Sequence, residues 1–389
     1  MISKEHRRRY LTSAILSLSL LTVMAGAAVA PALNTIQEYF SDVSRTLTQM
    51  IISIPALFII IMSPVFPKLC RRFKVKELVV AGLVLYVAGG SIAGVFNNIY
   101  LVLIFRSLVG IGVGILMPLS TGLISFYFTR DKQDRLMGYS SAMNQMGGVI
   151  ATLAAGLLAS VSWRLSFLVY LLGLLSIVLC LLFLPNEKIG LEAGKKEKGV
   201  FSNYYPFAVA MFLLMFTFFV YPAEFAIETA KAGVIPQHFI AVIMAGMDLV
   251  AFFGGLSFVY VKKRLGSAVK LAAPVLFALG YLSLLISGGW AGTITGSVLI
   301  GFSNGLGIPF IISTASRRAG KTAAVTVMPM LSMALYLAQF TTPMILSAVT
   351  KVAGDVSPYM TAFISAILFA LWSFTIKTSE PGKHKVRQE

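Results

Sequence analysis

Twelve apolar stretches, six on each side of one short charged segment, constrain this 389-residue chain more than any other feature. The charged segment covers residues 185–203. Each stretch has about 18 residues or more, and a helix of that length crosses a hydrocarbon core of about 30 Å. The predicted spans are 11–31, 47–67, 78–96, 99–121, 137–160, 165–184, 204–225, 237–261, 271–288, 293–314, 324–349 and 359–376. We therefore predict an all-α membrane protein with twelve transmembrane helices.

The composition supports a chain that lies almost entirely in the bilayer. Hydrophobic residues make up 57% and charged residues only 12%, and the mean hydropathy is +0.85. A water-soluble surface cannot be built from such a composition, and the loops are too short to hold a further domain. We predict a six-helix bundle over residues 1–184, a cytoplasmic linker over 185–203, and a second six-helix bundle with a cytoplasmic tail over 204–389.

The net charge of +17 is unevenly placed along the chain. Of the 32 Lys and Arg residues, 27 fall in one set of alternate loops and tails, and Arg106 lies inside a span. The opposite set carries only Arg45, Arg164, Lys231 and Lys351. By the positive-inside rule, both termini are predicted to face the cytoplasm, in a cytoplasmic membrane. The basic loops are expected to touch anionic lipid head groups, and no nucleic-acid partner is expected.

Short basic turns repeat at equivalent places in the two halves. KLCRRFKVK covers residues 68–76 between the second and third spans, and VKKRLGSAVK covers residues 261–270 between the eighth and ninth. Two parallel repeats around an axis along the membrane normal produce such a pattern. With its span count, the chain resembles the major facilitator superfamily, particularly the twelve-span proton-driven antiporter branch. The resemblance implies two parallel six-helix repeats around a central cavity, and we expect a monomer.

Two motifs in the second to fourth spans carry the resemblance. RSLVGIGVG in the fourth span is the better preserved, and its Arg106, Gly110 and Gly112 match the family pattern. The motif between spans two and three is degraded. Arg72 is retained, but Arg71 stands where the family has an Asp that helps to lock the cytoplasmic side.

A third motif, in the fifth span, is incomplete. Gly147, Gly148 and Gly156 are present, whereas Ala151 and Thr152 stand where the antiporter Gly-Pro pair would be. Conformational roles are therefore predicted for Gly110, Gly112, Arg72 and Gly148.

Ionisable side chains inside a span cost at least about 2.5 to 3.5 kcal/mol at the bilayer centre, so each one needs a reason. Asp248 lies eleven residues after Gln237, which places it about 17 Å deep and close to the midplane. A carboxyl group there could carry a proton from one face to the other, or it could be a structural hydrogen-bond acceptor. Glu224 lies near the outer end of the seventh span, where it could simply be solvated. Arg106 could bind an anion, assist proton transfer as the resemblance implies, or cap carbonyls in helix packing. We predict that Asp248, Glu224 and Arg106 couple transport to protons.

Deep uncharged polar side chains and two tyrosines form the predicted substrate site. The resemblance implies that spans three, six, nine and twelve are peripheral and that the other eight line the cavity. The polar and aromatic candidates all lie in those eight spans; they are Asn144, Gln145, Tyr221, Asn304, Tyr336 and Gln339. Each could equally make a hydrogen bond or a packing contact between helices.

Several kinds of chemistry have no signal in the sequence. It contains no Walker motif, no Ser/His/Asp arrangement and no cluster of metal ligands, so no enzyme, cofactor or metal is predicted. The leading hypothesis is a secondary transporter that works by alternating access, exporting a drug-like or amphipathic compound against inward proton flow. The alternatives are proton-coupled uptake or exchange of a small organic anion or metabolite and, outside transport, a membrane scaffold or sensor.

Overall fold

The computed structural model describes residues 4–128, 130–188, 200–286, 289–354 and 356–376. Every regular element within these ranges is a helix. The first half contains α1 (Lys4–Ala27), α2 (Leu33–Tyr39), α3 (Arg45–Arg72), α4 (Val75–Ala93), α5 (Ile99–Tyr127), α6 (Arg130–Ala159), α7 (Trp163–Ser166) and α8 (Gly173–Phe183). The second half contains α9 (Val200–Ala232), α10 (Gln237–Leu265), α11 (Val269–Ile286), α12 (Trp290–Ala353) and α13 (Pro358–Ser373).

The lengths of these helices agree with the predicted spans. Ten stretches of the described residues are long and apolar enough to cross a membrane. One of them, Gln237–Ile286, has 50 residues and contains both α10 and α11. The apolar helix α13 is shorter, at 16 residues. Counting α10 and α11 separately and adding α13 is consistent with twelve spans.

The helical segment α12 has 64 residues and contains both the tenth and the eleventh spans. Its two ends nevertheless lie close together. Thr293 lines a small cavity beside Glu228, and Lys351 lines a second cavity that also includes Glu228. The chain therefore reverses direction between its apolar portions, Trp290–Ala315 and Val327–Ala353. The prediction of two antiparallel spans agrees with this path, although no break in helical assignment separates them.

Local residue types explain where several helices begin and end. Ser44 and Asn98 cap α3 and α5 by accepting hydrogen bonds from the backbone N–H groups of Leu47 and Tyr100. Such caps satisfy donors that the first helical turn leaves free. Gly354 follows α12 with a φ of +79°, a conformation that residues with a Cβ rarely adopt.

The ends and local form of two predicted spans are refined by the structure. The sixth span, predicted over 165–184, corresponds to one apolar stretch, Trp163–Phe183, in which a 3-10 stretch, Phe167–Leu172, joins α7 to α8. The seventh was expected to end at residue 225, whereas α9 continues to Ala232. Glu224 therefore lies two turns inside a helix and not at its outer end. In the predicted linker, residues 189–199 lie outside the described ranges.

The helices pack as two bundles that meet along two seams. Within the first half, α3 and α4 pack against α5, and α1 packs against α6. Within the second half, α9, α10 and α11 all pack against α12, and α13 packs against α9 and α11. Between the halves, the main contacts join α6 with α10 and α3 with α12, and smaller ones join α2 with α9.

These two seams are equivalent to each other. They pair span five with span eight, and span two with span eleven. A shift of six spans converts one pair into the other, as expected for two parallel repeats. We call the face where α1 begins and α13 ends the terminal face. The opposite face, where α3 and α10 begin, is called the distal face.

Candidate functional site

Asp248 lies where the two halves meet. It projects from α10 and is half-buried, and Thr152 of α6 donates a hydrogen bond from Oγ1 to its Oδ2 at 3.2 Å. No ion pair joins Asp248 to a Lys or Arg within the described ranges. Asp248 thus has one weak hydrogen bond and no described cationic partner. It lies at a seam that must rearrange if the halves move.

Small residues on α6 make room for Asp248. Gly148, Thr152 and Gly156 are spaced four residues apart, so they share one face of the helix. A Cβ atom added at Gly148 would lie 3.4 Å from Oδ2 of Asp248. At Gly156, an added Cβ would clash with Ala241 of α10. The retained glycines of the fifth-span motif therefore let α6 approach α10 at the level of the carboxyl group.

A second set of ionisable groups joins the halves at the distal face. Arg45, the first residue of α3, forms an ion pair with Glu224 of α9 and another with Glu228 at 2.7 Å. Gln49 donates from Nε2 to Oε1 of Glu224 at 2.6 Å. Glu224 is only 2% exposed, so the expectation that it could be solvated at an interface is wrong.

Arg45 and Gln49 were not predicted as site residues. Arg45 was counted only as a loop charge. Its position could have indicated a role, because arginine is uncommon in loops on the side of a membrane protein that carries few basic residues. Gln49 gave no comparable signal, because a polar residue four positions after Arg45 is also expected at a helix end.

Arg106 has a different environment from the two carboxylates. Its side chain is completely buried and donates from Nε to the carbonyl of Ile51 at 2.7 Å and from Nη2 to that of Ala25 at 2.6 Å. Nη1 donates to the hydroxyl of Tyr170 at 2.5 Å. These contacts tie α1, α3 and the 3-10 stretch together within the first half. The geometry matches the carbonyl-capping alternative, because the described residues place no carboxylate against Arg106.

The other predicted conformational residues lie in the first half. A Cβ added at Gly112 would lie 2.6 Å from the carbonyl oxygen of Gly82, so this glycine lets α5 pack closely on α4. Gly110 packs in the same way on the backbone of Pro55 in α3. Arg72 is exposed at the terminal end of α3 and stacks over the ring of Phe73.

Two predicted substrate residues bridge the halves. Gln339 of α12 donates from Nε2 to the carbonyl oxygen of Ile52 in α3 at 3.4 Å. Tyr336, one turn earlier in α12, places its hydroxyl 2.8 Å from Sδ of Met117 in α5. Both side chains are half-buried. They lie on the same seam at different depths.

The remaining predicted substrate residues lie within single halves. Asn144 accepts a hydrogen bond from Thr22 Oγ1 at 2.7 Å, and the neighbouring Gln145 is half-buried. Tyr221 is fully buried, and its hydroxyl lies 2.7 Å from Ser297 Oγ.

Asn304 stands apart from these residues. Its side chain is buried, and its Oδ1 atom has no hydrogen-bond partner. An unpaired buried acceptor costs free energy, which a ligand or a water molecule could recover.

The seams therefore hold a graded series of contacts. At the distal face the halves are joined by ion pairs, and deeper in by the Gln339 and Asp248 hydrogen bonds. The structure is thus closed at the distal face. Asp248 would lose its hydrogen bond, and Glu224 and Glu228 would lose Arg45, if the halves separated. Such a change of partners is the property that charge-coupled gating requires.

Comparison with known proteins extends this picture. The model of the Major Facilitator Superfamily matches residues 15–343. The multidrug efflux pump SdrM of Staphylococcus aureus is 23% identical over 206 residues, which are 52% of this chain and 46% of that protein. The chain therefore spans about half the length of this relative. The quinolone resistance protein NorA of Staphylococcus aureus is 24% identical over 266 residues, covering 65% of this chain and 69% of NorA.

Solved structures agree on the fold. The crystal structure of the nucleoside transporter NupG aligns with a TM-score of 0.75 over 94% of this chain and 98% of NupG. The sequence identity in this alignment is 12%, so the likeness concerns the fold alone.

Proposed function

Because the chain belongs to the Major Facilitator Superfamily, we propose that it is a proton-coupled exporter of drug-like or amphipathic small molecules. The two six-helix bundles, residues 1–184 and 204–389, rock about the seams and expose a central site to each face in turn. The linker and both termini lie in the cytoplasm, and the distal face is external. Efflux is the activity named for the relatives SdrM and NorA, and its extension to this chain is part of the proposal.

The position of Asp248 is the observation that carries proton coupling. A carboxyl group at the seam with no cationic partner in the described structure can be charged or neutral without breaking an ion pair. Separation of α6 from α10 would remove the Thr152 hydrogen bond and admit water. The proton affinity of Asp248 then depends on which face is open, which is the requirement for a coupled carrier.

Glu224 supplies a second step in the proposed cycle. In the distal-closed state its charge is balanced by Arg45, and Gln49 donates a hydrogen bond to it. Opening the distal face moves α3 away from α9 and leaves Glu224 without its cation, so it can take a proton from the external solution. In the proposed cycle this proton passes inward to Asp248 before the Arg45 ion pair re-forms. Closure of the distal face is thereby tied to inward transfer of the proton.

Substrate contacts are proposed at the polar and aromatic side chains of the seams and their surroundings. Gln339 and Tyr336 bridge the halves, so a ligand that replaces their partners would favour separation. Asn304 offers an unsatisfied acceptor. Asn144, Gln145 and Tyr221 complete the proposed set from their positions within each half. Arg106 is proposed to act by holding α1 and α3 in place for proton transfer, and not by touching the substrate.

The alternative of metabolite or organic-anion uptake has one supporting observation, the shared fold with a nucleoside transporter. An anion site at Arg106 finds no support, because all three of its nitrogen atoms are engaged within the first half.

A panel of labelled compounds tests the proposal. Inverted vesicles containing the chain are given lipophilic cations, neutral amphipaths, nucleosides and organic anions, with and without an imposed pH gradient. We expect accumulation of amphipathic compounds that depends on an acidic vesicle interior. Loss of preloaded nucleosides or organic anions from the acidic lumen, driven by the same gradient, would instead support the uptake alternative.

A further inference from the structure

A cavity of about 480 Å³ opens at the distal face, away from Asp248. Its walls come from α3 of the first half and from α9, α12 and α13 of the second. The size falls within the range of small-molecule sites, which is about 300 to 1,000 Å³. The cavity shares Arg45, Gln49, Glu224 and Glu228 with the distal contacts of the proposed cycle, and its other lining residues have no role in that cycle.

The charges of this cavity are unusual for its location. The predicted external side of the chain has four basic residues, and three of them, Arg45, Lys231 and Lys351, line this one cavity. Two carboxylates, Glu224 and Glu228, face them. The described lining therefore has one more cation than it has carboxylates. Asp355, which precedes the lining residue Val356 in the sequence, lies outside the described residues.

The three cations differ in how far they are neutralised. Arg45 is engaged by both carboxylates. Lys231 is 62% exposed, and its Nζ lies 3.5 Å from Oε1 of Glu228. This distance is longer than the 2.7 Å between Arg45 and the same oxygen. Lys351 is exposed at the last turn of α12 and makes no ion pair with the described acidic residues. An ammonium group at the edge of a polar cavity, with no described carboxylate of its own, is a ready partner for an anion.

Hydroxyl groups line the same part of the cavity. Ser347 precedes Lys351 on α12, and Ser357 and Thr361 lie across from it at the start of α13. Thr350 also lines the cavity, but its hydroxyl donates to the carbonyl of Leu346. Hydroxyls can donate to the oxygens of a carboxylate or phosphate without adding charge. A ligand with one acidic group and a small apolar body would place the acid between these hydroxyls and Lys351. Leu346 would contact the apolar body.

We propose that this cavity is a binding site for a small monoanionic organic molecule on the distal face. Because the wall is shared between α3 and the second half, the bound anion stabilises the distal-closed arrangement. A ligand that binds one state better than another shifts the population toward it. The bound anion thus inhibits opening of the distal face. This inhibition rests on the proposed transport cycle, whereas the binding site does not.

The binding test uses three ligands of nearly equal shape and different charge. Benzoate, benzamide and benzamidine are titrated calorimetrically into the purified full-length protein in lipid nanodiscs at low salt. We expect benzoate to bind at least about tenfold more tightly than the neutral benzamide, and benzamidine to bind more weakly still. Lys351→Gln should weaken benzoate binding by about tenfold. The matched control Lys263→Gln removes an exposed lysine from the terminal face and should leave binding unchanged.

Two results would overturn the proposed binding site. Benzamidine binding as tightly as benzoate would mean that the carboxylates dominate the cavity. Equal weakening by Lys351→Gln and Lys263→Gln would indicate only a general charge effect. Transport is then measured separately as equilibrium exchange without a pH gradient, with benzoate on the distal side, because benzoic acid crosses bilayers and would itself dissipate a gradient. If benzoate binds through Lys351 but does not slow transport, the binding site is confirmed and the proposed inhibition of opening is wrong.

Discussion

At the residue scale, two ionisable side chains singled out from the sequence have opposite environments. Asp248 has a single hydrogen bond and lies between the halves. Arg106 donates three hydrogen bonds to groups of its own half. Both were recognisable from the cost of placing a charge in a membrane. Their partners were not, because two of the acceptors of Arg106 are backbone carbonyls on other helices, and any residue type supplies a carbonyl.

Asp248→Asn tests the coupling role directly. The amide keeps the shape and can still accept from Thr152, but it cannot carry a proton. We expect transport driven by a pH gradient to fall to the background level, while equilibrium exchange of substrate and folding are retained. The comparison is made in reconstituted vesicles. The same change at the exposed Asp42, in the distal loop before α3, is the control and should transport normally.

Arg106→Ala is expected to destabilise the first half. It leaves the carbonyl of Ile51 without its Arg106 donor and the carbonyl of Ala25 with only the Tyr170 hydroxyl. An unsatisfied buried group costs about 1 to 3 kcal/mol, and we expect a loss of that size in unfolding free energy, measured in mixed micelles. Arg106→Lys should lose less and retain more transport, because it keeps the charge but not the planar fork.

The exposed Arg71 provides the comparison for this measurement. Arg71→Ala should change stability by less than about 0.5 kcal/mol. A stable but inactive Arg106→Ala protein would contradict the packing interpretation and return Arg106 to a direct role in proton transfer.

At the element scale, hydropathy predicted most helices and their order. The sixth span lies where it was predicted, but its 3-10 stretch Phe167–Leu172 was not predictable, since that stretch contains neither Pro nor Gly and is distinguished only by its packing against α4. The outer end of α9 was predicted seven residues too early, because the two carboxylates Glu224 and Glu228 are expected in sequence to lie at the membrane–water interface. In the folded chain their charges are balanced by Arg45 from a different half. Such long-range pairing has no local signal.

The Arg45 ion pairs are predicted to hold α3 against α9. Arg45→Gln should open the distal face more often and expose Ile52, which is buried one helical turn below Gln49. In a background lacking Cys70 and Cys180, a cysteine introduced by Ile52→Cys is labelled with an impermeant thiol reagent. We expect labelling to accelerate about tenfold, as a shift of about 1.4 kcal/mol would produce.

Arg164 offers a matched control for this experiment. It also lies at the distal face, but it contacts Tyr39 and Asn97 within the first half. Arg164→Gln should therefore leave labelling of the introduced cysteine unchanged. Equal acceleration by both substitutions would show that the Arg45 ion pairs do not control opening.

At the scale of the whole molecule, the two seams are the main result. The repeat of six spans was predictable from basic turns and span spacing. Which spans meet was not, since hydropathy is the same for a helix that faces lipid and one that faces another helix. The pairings α6 with α10 and α3 with α12 are related by the repeat, so motion at one seam has an equivalent at the other.

The orientation of the molecule is predicted from its charge asymmetry. A cysteine introduced by Lys195→Cys in the linker should resist impermeant reagents in intact cells and react after permeabilisation. One introduced by Lys351→Cys on the distal face should react in intact cells. The reverse pattern would invert the proposed topology and with it the direction of transport.

Substrate-dependent proton movement tests the central claim most directly. The chain is reconstituted in vesicles that contain a pH-sensitive dye and carry a pH gradient, and an amphipathic substrate is then added. We predict that the gradient dissipates in proportion to the substrate transported, and that Asp248→Asn abolishes this proton movement while exchange continues. Substrate transport with no accompanying change in internal pH would contradict proton coupling.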